Sequence, residues 1–158
     1  MRGLRVLRPG PGEPRPVDTE TGGLLRDLAA DRDDLRDVAE AVQDAADLLC
    51  RTTGPEARDA VHRVDRLLQE RLLPHERAEE RFFYPALADA LGGGDARSHA
   101  EIHGLATRIE THLHLADRHG EGFRDDQADD LRACLYGLAA VLRLHFAHQE
   151  ENLFSWAG

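Results

Sequence analysis

The feature that most constrains this chain is a helical spacing of apolar residues that begins near Asp18 and continues almost to the C-terminus. Apolar side chains recur every three or four residues, and no alternating strand pattern of useful length is present. Three breaks interrupt this spacing: Thr53-Gly54-Pro55, Gly92-Gly93-Gly94 and Gly120-Glu121-Gly122. The sequence therefore predicts helices at about 19–51, 55–90, 95–118 and 124–155, joined by short turns.

Each predicted helix has one inward face that is mainly apolar. Four such helices with short turns favour an all-α, up-down-up-down antiparallel four-helix bundle. Pro74 and Pro85 lie inside the second helix and predict kinks or local breaks there. In chain order, the four predicted faces are Leu25, Leu28, Arg32, Leu35, Ala39, Val42, Ala46 and Leu49; Val61, Val64, Leu68, Leu72, His75, Glu79, Phe82 and Ala86; His99, His103, Ala106, Ile109 and Leu113; and Leu131, Leu135, Leu138, Leu142, His145, Gln149 and Leu153.

Residues 1–17 differ from the rest of the chain, because they are rich in Pro, Gly and Arg and have no helical spacing. We expect them to form a flexible N-terminal arm. Residues 18–158 are expected to form one domain, since a chain of 158 residues with 41% apolar content can bury its own core.

Composition excludes several classes of function. The net charge of −10 disfavours binding to nucleic acid or to anionic lipid. No apolar run of about 20 residues predicts a membrane span, and no secretory signal is evident, so we expect a cytoplasmic protein. Cys50 and Cys134 have no CxxC partner, and we expect both to be buried free thiols.

Histidines and glutamates on three of the inward faces lie at matching levels of the predicted bundle. His75 and Glu79 are four residues apart, so both side chains lie on one side of the second helix. Glu79 lies about 13 residues before the glycine turn and His103 about 10 after it, which at about 1.5 Å per residue gives them nearly the same height. The candidate metal ligands that meet at this end of the core are His75, Glu79, His99, His103, His145 and Glu150.

The chemistry of these side chains points to a transition metal. Imidazoles and carboxylates in this ratio suit iron better than manganese or zinc, and they disfavour calcium, which prefers oxygen ligands alone. Glutamates buried in a dry bundle core also need a cation, because an unpaired buried charge is costly.

These residues resemble the hemerythrin-like family, also called the HHE cation-binding domain, over about residues 20–156. The resemblance implies a four-helix bundle that binds two bridged iron ions, with open coordination for O2 or a related small ligand. It also implies that His75, Glu79, His99, His103 and His145 are ligands. Hemerythrins themselves place the last carboxylate at the position of Glu150, whereas many relatives use the position held here by Gln149. The motifs that carry the resemblance are Pro74-His75-Glu76-Arg77-Ala78-Glu79-Glu80, Phe83-Tyr84-Pro85, Ser98-His99 through His103, and His145 followed by Glu150-Glu151-Asn152-Leu153-Phe154.

The chain departs from the family at Arg32, where a histidine of the first helix is expected. A guanidinium has no lone pair to give to a metal. One hypothesis is that Arg32 pairs with Glu79 or Glu150 and replaces part of the charge of one metal, which leaves a mononuclear or altered binuclear site. The other is that Arg32 extends outward and that Asp31 or a water fills the coordination position.

Three functions remain open from the sequence. The first is an iron protein that binds or senses O2, NO or peroxide, or that handles iron. The second is a peroxidase, ferroxidase or nitrosative-damage repair enzyme in which Glu80 or Tyr84 assists as an acid. The third is a metal-free interaction bundle. The sequence gives no sign of a pocket for an organic substrate, so binding of a small ligand is favoured over catalysis. Whether a protein partner exists is left open.

Overall fold

The computed structural model describes the backbone of residues 19–83, 94–120 and 122–157. Solvent exposure is described for Gly23, and side chains are described for residues 35–81, 97–120 and 122–151. The predicted arm at residues 1–17, and the segment with Tyr84 and Pro85, lie outside the described residues. Arg32 lies on a described helix, but its side chain is not among those described, so neither hypothesis about it is tested.

The described residues form four helices and contain no strand, which confirms the all-α prediction. The first, α1, spans Thr19–Leu49, and the second, α2, spans residues 55–83. They are followed by α3 at Gly94–His119 and α4 at Asp125–Ala157. The observed ends lie within about two residues of the predicted ones wherever both are described, because Gly and Pro mark these turns in the sequence. Among the described residues, none of the helices has the length and apolar content needed to cross a membrane.

Helix α2 is not a uniform α-helix. Pro55–Leu67 and Leu73–Ala78 have α geometry, whereas Leu68–Leu72 and Glu79–Phe83 are turns of π-helix. Pro74 stands in the first turn of the second α segment, directly after a π turn. Because proline lacks an N–H, this position cannot continue the regular hydrogen-bond ladder. The local break predicted at Pro74 is thus present as a change of helix type.

The core contains the predicted inward faces together with buried residues beside them, such as Val38, Ile102 and Phe146. All the apolar members of these faces whose side chains are described are buried, from Leu35 in α1 to Leu142 in α4. Each large side chain contributes about 1.5–3 kcal/mol when it leaves water. The prediction for the cysteines is half right: Cys134 is buried, but Cys50, just after the end of α1, is exposed.

The turn between α1 and α2 meets the turn between α3 and α4. The backbone N–H of Phe123 donates to the carbonyl oxygen of Thr53 at 2.7 Å, and the Phe123 side chain is buried. Gly122 passes so close that a Cβ there would lie 1.9 Å from the same oxygen. We call this end of the bundle, comprising residues 49–64 and 122–138, the apolar end.

Hydrogen bonds and ion pairs between neighbouring helices follow a common order. Residue numbers rise in one helix while they fall in its partner, so the end of α2, the start of α3 and the end of α4 reach the same level, away from the apolar end. The pairs that define this order are Arg36–Glu150, Gln43–Arg143 and Asp47–Tyr136 between α1 and α4; His62–Asp117 and Glu80–His99 between α2 and α3; and Arg108–Asp130 and His99–His145 between α3 and α4.

Candidate metal centre

Five polar side chains are buried together at the end opposite the apolar end. His75, Glu76 and Glu79 come from α2, His99 from α3 and His145 from α4, and each is at most 7% exposed. We call these five residues the polar cluster. Helix packing brings them together, because each occupies the same face as buried apolar residues one or two turns away in its helix.

Glu79 lies at the centre of the polar cluster. Its Oε1 is 2.6 Å from Nε2 of His75, and its Oε2 faces the Nε2 atoms of His99 and His145. Burial opposes ionisation of this carboxyl, but hydrogen bonds from His145, His75 and His99 outweigh it and hold the pKa well below its usual range. Glu79 is therefore a carboxylate.

Three potential ligand atoms converge on one point. Nε2 of His99 lies 3.3 Å from Nε2 of His145 and 3.4 Å from Oε2 of Glu79, and Nε2 of His145 lies 3.7 Å from the same oxygen. A point equidistant from the three atoms lies about 2.0 Å from each, which matches the bonds of about 2.0–2.2 Å that imidazole and carboxylate make to zinc. A transition-metal ion therefore fits between them.

Glu80 fixes the orientation of His99. Nδ1 of His99 donates to Oε1 of Glu80 at 3.1 Å, which turns Nε2 toward Glu79 and His145. Burial lowers the pKa of His99, but the contacts with Glu79 and Glu80 and the nearby charge of Glu76 outweigh it and raise the pKa to about 9. His99 is therefore protonated on Nε2 when no metal is bound, and this proton lies where a metal ion would bind. A carboxylate on the outer ring nitrogen is typical of metal-ligating histidines.

Glu76 is the buried acid that sequence reasoning missed. It is fully buried, and neither carboxylate oxygen has a hydrogen-bond partner among the described residues. One of its oxygens and the ring nitrogens of His99 and His145 all lie within 4.8 Å of one another. Burial raises the pKa of this carboxyl to about 8.

Gln149, and not Glu150, lies beside the polar cluster. The Gln149 side-chain amide donates to Oε2 of Glu79 at 2.7 Å and contacts Nε2 of His145 at 2.9 Å. Glu150 instead pairs with Arg36 of α1, and its side chain is 35% exposed. One residue along a helix turns the side chain by about 100°, so only one of these two can face inward.

His103 lies one turn beyond His99 on α3 and is only half-buried. Among the described residues, its backbone carbonyl accepts a hydrogen bond from the Thr107 hydroxyl, and no contact joins its ring to the polar cluster. The structure thus brings together His75, Glu79, His99 and His145 of the predicted ligands, and leaves His103 and Glu150 apart from them.

A model of the hemerythrin HHE cation binding domain family matches residues 23–157, which is most of the chain. The chain belongs to this family. No curated protein and no solved structure matches it. The polar cluster of this hemerythrin-like domain fits a bound cation on its own chemistry, since nitrogens and oxygens converge on one point and the Glu76 carboxyl has no partner among the described residues.

A sequence signal for Glu76 exists in this hemerythrin-like domain. Glu76 lies three residues before Glu79 and four after Leu72, which is the spacing of residues on one helix face. Leu72 and Leu73 are both buried, as are His75 and Glu76, so the inward face of α2 is two residues wide here. The prediction assumed a single row of inward residues and therefore did not include Glu76.

Proposed function

We propose that this hemerythrin-like domain binds non-haem iron in the polar cluster and uses it to bind or sense O2, NO or peroxide, or to handle iron. The observation that carries the proposal is the convergence of Glu79, His99 and His145 on one point about 2.0 Å from each ligand atom. Their helices also hold His75 in contact with the same carboxylate.

The donor set supports iron over other ions. Two histidines and one carboxylate on one side of an ion, with the other side open, are typical of non-haem Fe(II) sites. Iron supplies open coordination positions and one-electron chemistry that zinc lacks. Manganese and zinc accept the same donors and are the proposed second choices. His103 stays a predicted ligand one turn along α3, while Glu150 is left out because it pairs with Arg36.

The surrounding residues have two tasks in this proposal. Glu80 and Gln149 orient the imidazoles and the carboxylate through hydrogen bonds at 3.1 Å and 2.7 Å. The buried side chains of Leu72, Ile102 and Leu142, and the Phe146 ring beside His145, keep water away from the site. A dry, apolar surrounding favours a small neutral ligand over a polar organic substrate.

The fold and location that accompany this function are also proposals. The opposed order of the contacts between α1 and α4, α3 and α4, and α2 and α3 supports an up-down-up-down antiparallel bundle with the flexible arm before it. We place the protein in the cytoplasm, where its small ligand diffuses to the buried site.

Binding is favoured over catalysis by the position of Glu80. This carboxylate was a candidate acid for O–O chemistry, but it accepts the hydrogen bond from Nδ1 of His99 and so serves to hold that ring. A metal-free bundle is disfavoured, because Glu76 and Glu79 would then be buried acids with no metal ion to balance their charge.

The test is anaerobic reconstitution of the full chain with Fe(II), followed by absorption spectra before and after addition of O2, NO or peroxide. We expect a spectral change with at least one of these ligands that reverses when the ligand is removed. Sustained consumption of peroxide or Fe(II) would instead assign the enzymatic alternative. A chain that binds no iron, manganese or zinc would overturn the proposal and support the interaction bundle.

A further inference from the structure

We propose that Glu76 is a metal ligand in its own right, supplying a second carboxylate to the ion held by Glu79, His99 and His145. This inference rests on the proposed function, since it assigns a further donor to the same ion.

Glu76 is the acid of the polar cluster whose oxygens are left without an internal partner. Both oxygens of Glu79 are contacted by ring nitrogens or by the Gln149 amide, and Glu80 reaches solvent with a side chain 49% exposed. Glu76 has no exposed surface, and neither of its oxygens has a hydrogen-bond partner among the described residues. Buried polar atoms are nearly always satisfied, so two orphaned oxygens on one side chain point to a missing ligand.

Glu76 lies close to the two histidines that define the site, as a further ligand of the same ion must. One of its oxygens lies within 4.8 Å of a ring nitrogen of His99 and of a ring nitrogen of His145, the two histidines that define the site. Atoms that bind the same ion at about 2.0–2.2 Å stand no more than about 4.4 Å apart, so a small shift of one side-chain rotamer brings this oxygen into contact.

Charge balance gives the second argument. With neutral imidazoles and the neutral Gln149 amide, Glu79 alone neutralises half of a divalent ion. Glu79 and Glu76 together neutralise it fully, and a neutral centre is what an apolar core tolerates best. The Glu150 carboxylate instead forms an ion pair with Arg36. Glu76 therefore supplies the second negative charge that balances the divalent ion, which Glu150 on α4 does not provide.

The experiment compares Glu76→Gln with Glu70→Gln in the full chain. Both substitutions replace a carboxyl group on α2 by an amide, but Glu70 is exposed and makes no contact with the polar cluster among the described residues. Two quantities are measured under anaerobic conditions: the affinity for Fe(II), by competition with a chelator, and the thermal unfolding temperature with and without Fe(II). The Co(II)-loaded forms add a visible spectrum that reports the coordination of the ion.

We expect Glu76→Gln to lower the Fe(II) affinity by more than about 100-fold, beyond the loss of about 10–100-fold typical of residues that only support a ligand. The metal-free variant should unfold near the temperature of the metal-free wild type, because one buried side chain without a hydrogen-bond partner has been replaced by another of the same size. The metal-induced rise in unfolding temperature should shrink, and the Co(II) spectrum should change. Glu70→Gln should leave all of these quantities near their wild-type values.

A merely structural role for Glu76 predicts instead a lower unfolding temperature in the metal-free chain with unchanged metal affinity, and that result would overturn the inference. Unchanged affinity and Co(II) spectrum in Glu76→Gln would do the same while leaving the proposed function intact. A wild-type chain that binds no metal would instead refute the proposed function itself. Glu76→Ala repeats the comparison without an amide oxygen that could still reach the ion.

Discussion

The two ends of the bundle are built on different principles. At the apolar end, Ala57, Val61 and Leu131 are essentially inaccessible to solvent, and backbone atoms of the two turns bind each other directly. At the other end, the same helices bury three imidazoles and two carboxyls, and both oxygens of one carboxyl have no partner among the described residues. The buried residues of the apolar end are mainly apolar and its two turns are hydrogen-bonded to each other, whereas we propose that a cation completes the contacts of the polar cluster.

This difference separates stability from function along one set of helices. Apolar burial contributes favourably in the absence of any ligand. Buried acids and imidazoles cost free energy unless they are paired or bind a metal. Changes at the apolar end should therefore alter the free energy of unfolding with little effect on metal affinity, and changes in the polar cluster should alter metal affinity most.

The largest effect is expected from His99→Ala. It removes one of the three converging ligand atoms, so the Fe(II) affinity should fall by more than about 100-fold. Anaerobic competition titration measures it. The matched control is His62→Ala, since His62 lies on the neighbouring helix and pairs only with Asp117 at the surface among the described residues. Loss of affinity in the control as large as in His99→Ala would show that the two ends are not independent.

Leu135→Ala tests the apolar end. Leu135 is fully buried in α4, so truncation should leave a cavity and lower the free energy of unfolding by about 2–5 kcal/mol, measured by urea denaturation of the metal-free chain. The Fe(II) affinity of the folded protein should stay within about threefold of wild type. Leu144→Ala on the same helix is the control, because Leu144 is 73% exposed and its truncation should change stability by about 0.5 kcal/mol or less.

Gly122→Ala should break the contact between the two turns. The added Cβ would lie 1.9 Å from the Thr53 carbonyl oxygen, so the backbone must move and lengthen the hydrogen bond to Phe123. We expect a loss of about 1–3 kcal/mol in the free energy of unfolding. Gly104→Ala, where a Cβ meets nothing within 4 Å, should instead stabilise α3 by about 0.5–1 kcal/mol. Equal stabilities of the two variants would contradict the close contact.

The smallest effect is expected from Glu150→Gln. The pair with Arg36 is partly exposed, so its loss should change stability by about 1 kcal/mol or less and leave Fe(II) affinity within about threefold. Gln149→Ala should lower the affinity by about 10-fold, because the amide holds Glu79 and His145 in position. A large loss of affinity in Glu150→Gln and none in Gln149→Ala would reverse the assignment of these neighbouring residues.

The apolar end was predictable from the sequence in its main features, although the buried Ala57, Ala60, Phe123 and Ala128 were not on the predicted faces. Gly and Pro mark the turns, and the spacing of apolar residues sets which face is buried, as Leu49, Val61 and Leu138 illustrate. The common level of His75, Glu79, His99 and His145 also followed from counting residues along the predicted helices. These features depend on periodicity, which a single sequence records.

The polar cluster was predictable only in part, because its details depend on helix rotation. Whether Gln149 or Glu150 faces inward is a question of about 100° around α4, which periodicity cannot resolve near the end of a helix. Glu76 required knowledge that α2 buries a two-residue-wide face between its π turns. The half-buried position of His103 likewise depends on how α3 is rotated, although His103 shares a row with the buried His99.

Hydrogen exchange of the full chain, followed by mass spectrometry with and without Fe(II) under anaerobic conditions, tests the central claim most directly. The account predicts that Fe(II) slows exchange in the segments that contain His75–Glu79, His99 and His145. It predicts little change in the apolar end, residues 49–64 and 122–138. No protection in any segment, or protection confined to the apolar end, would contradict a metal site in the polar cluster.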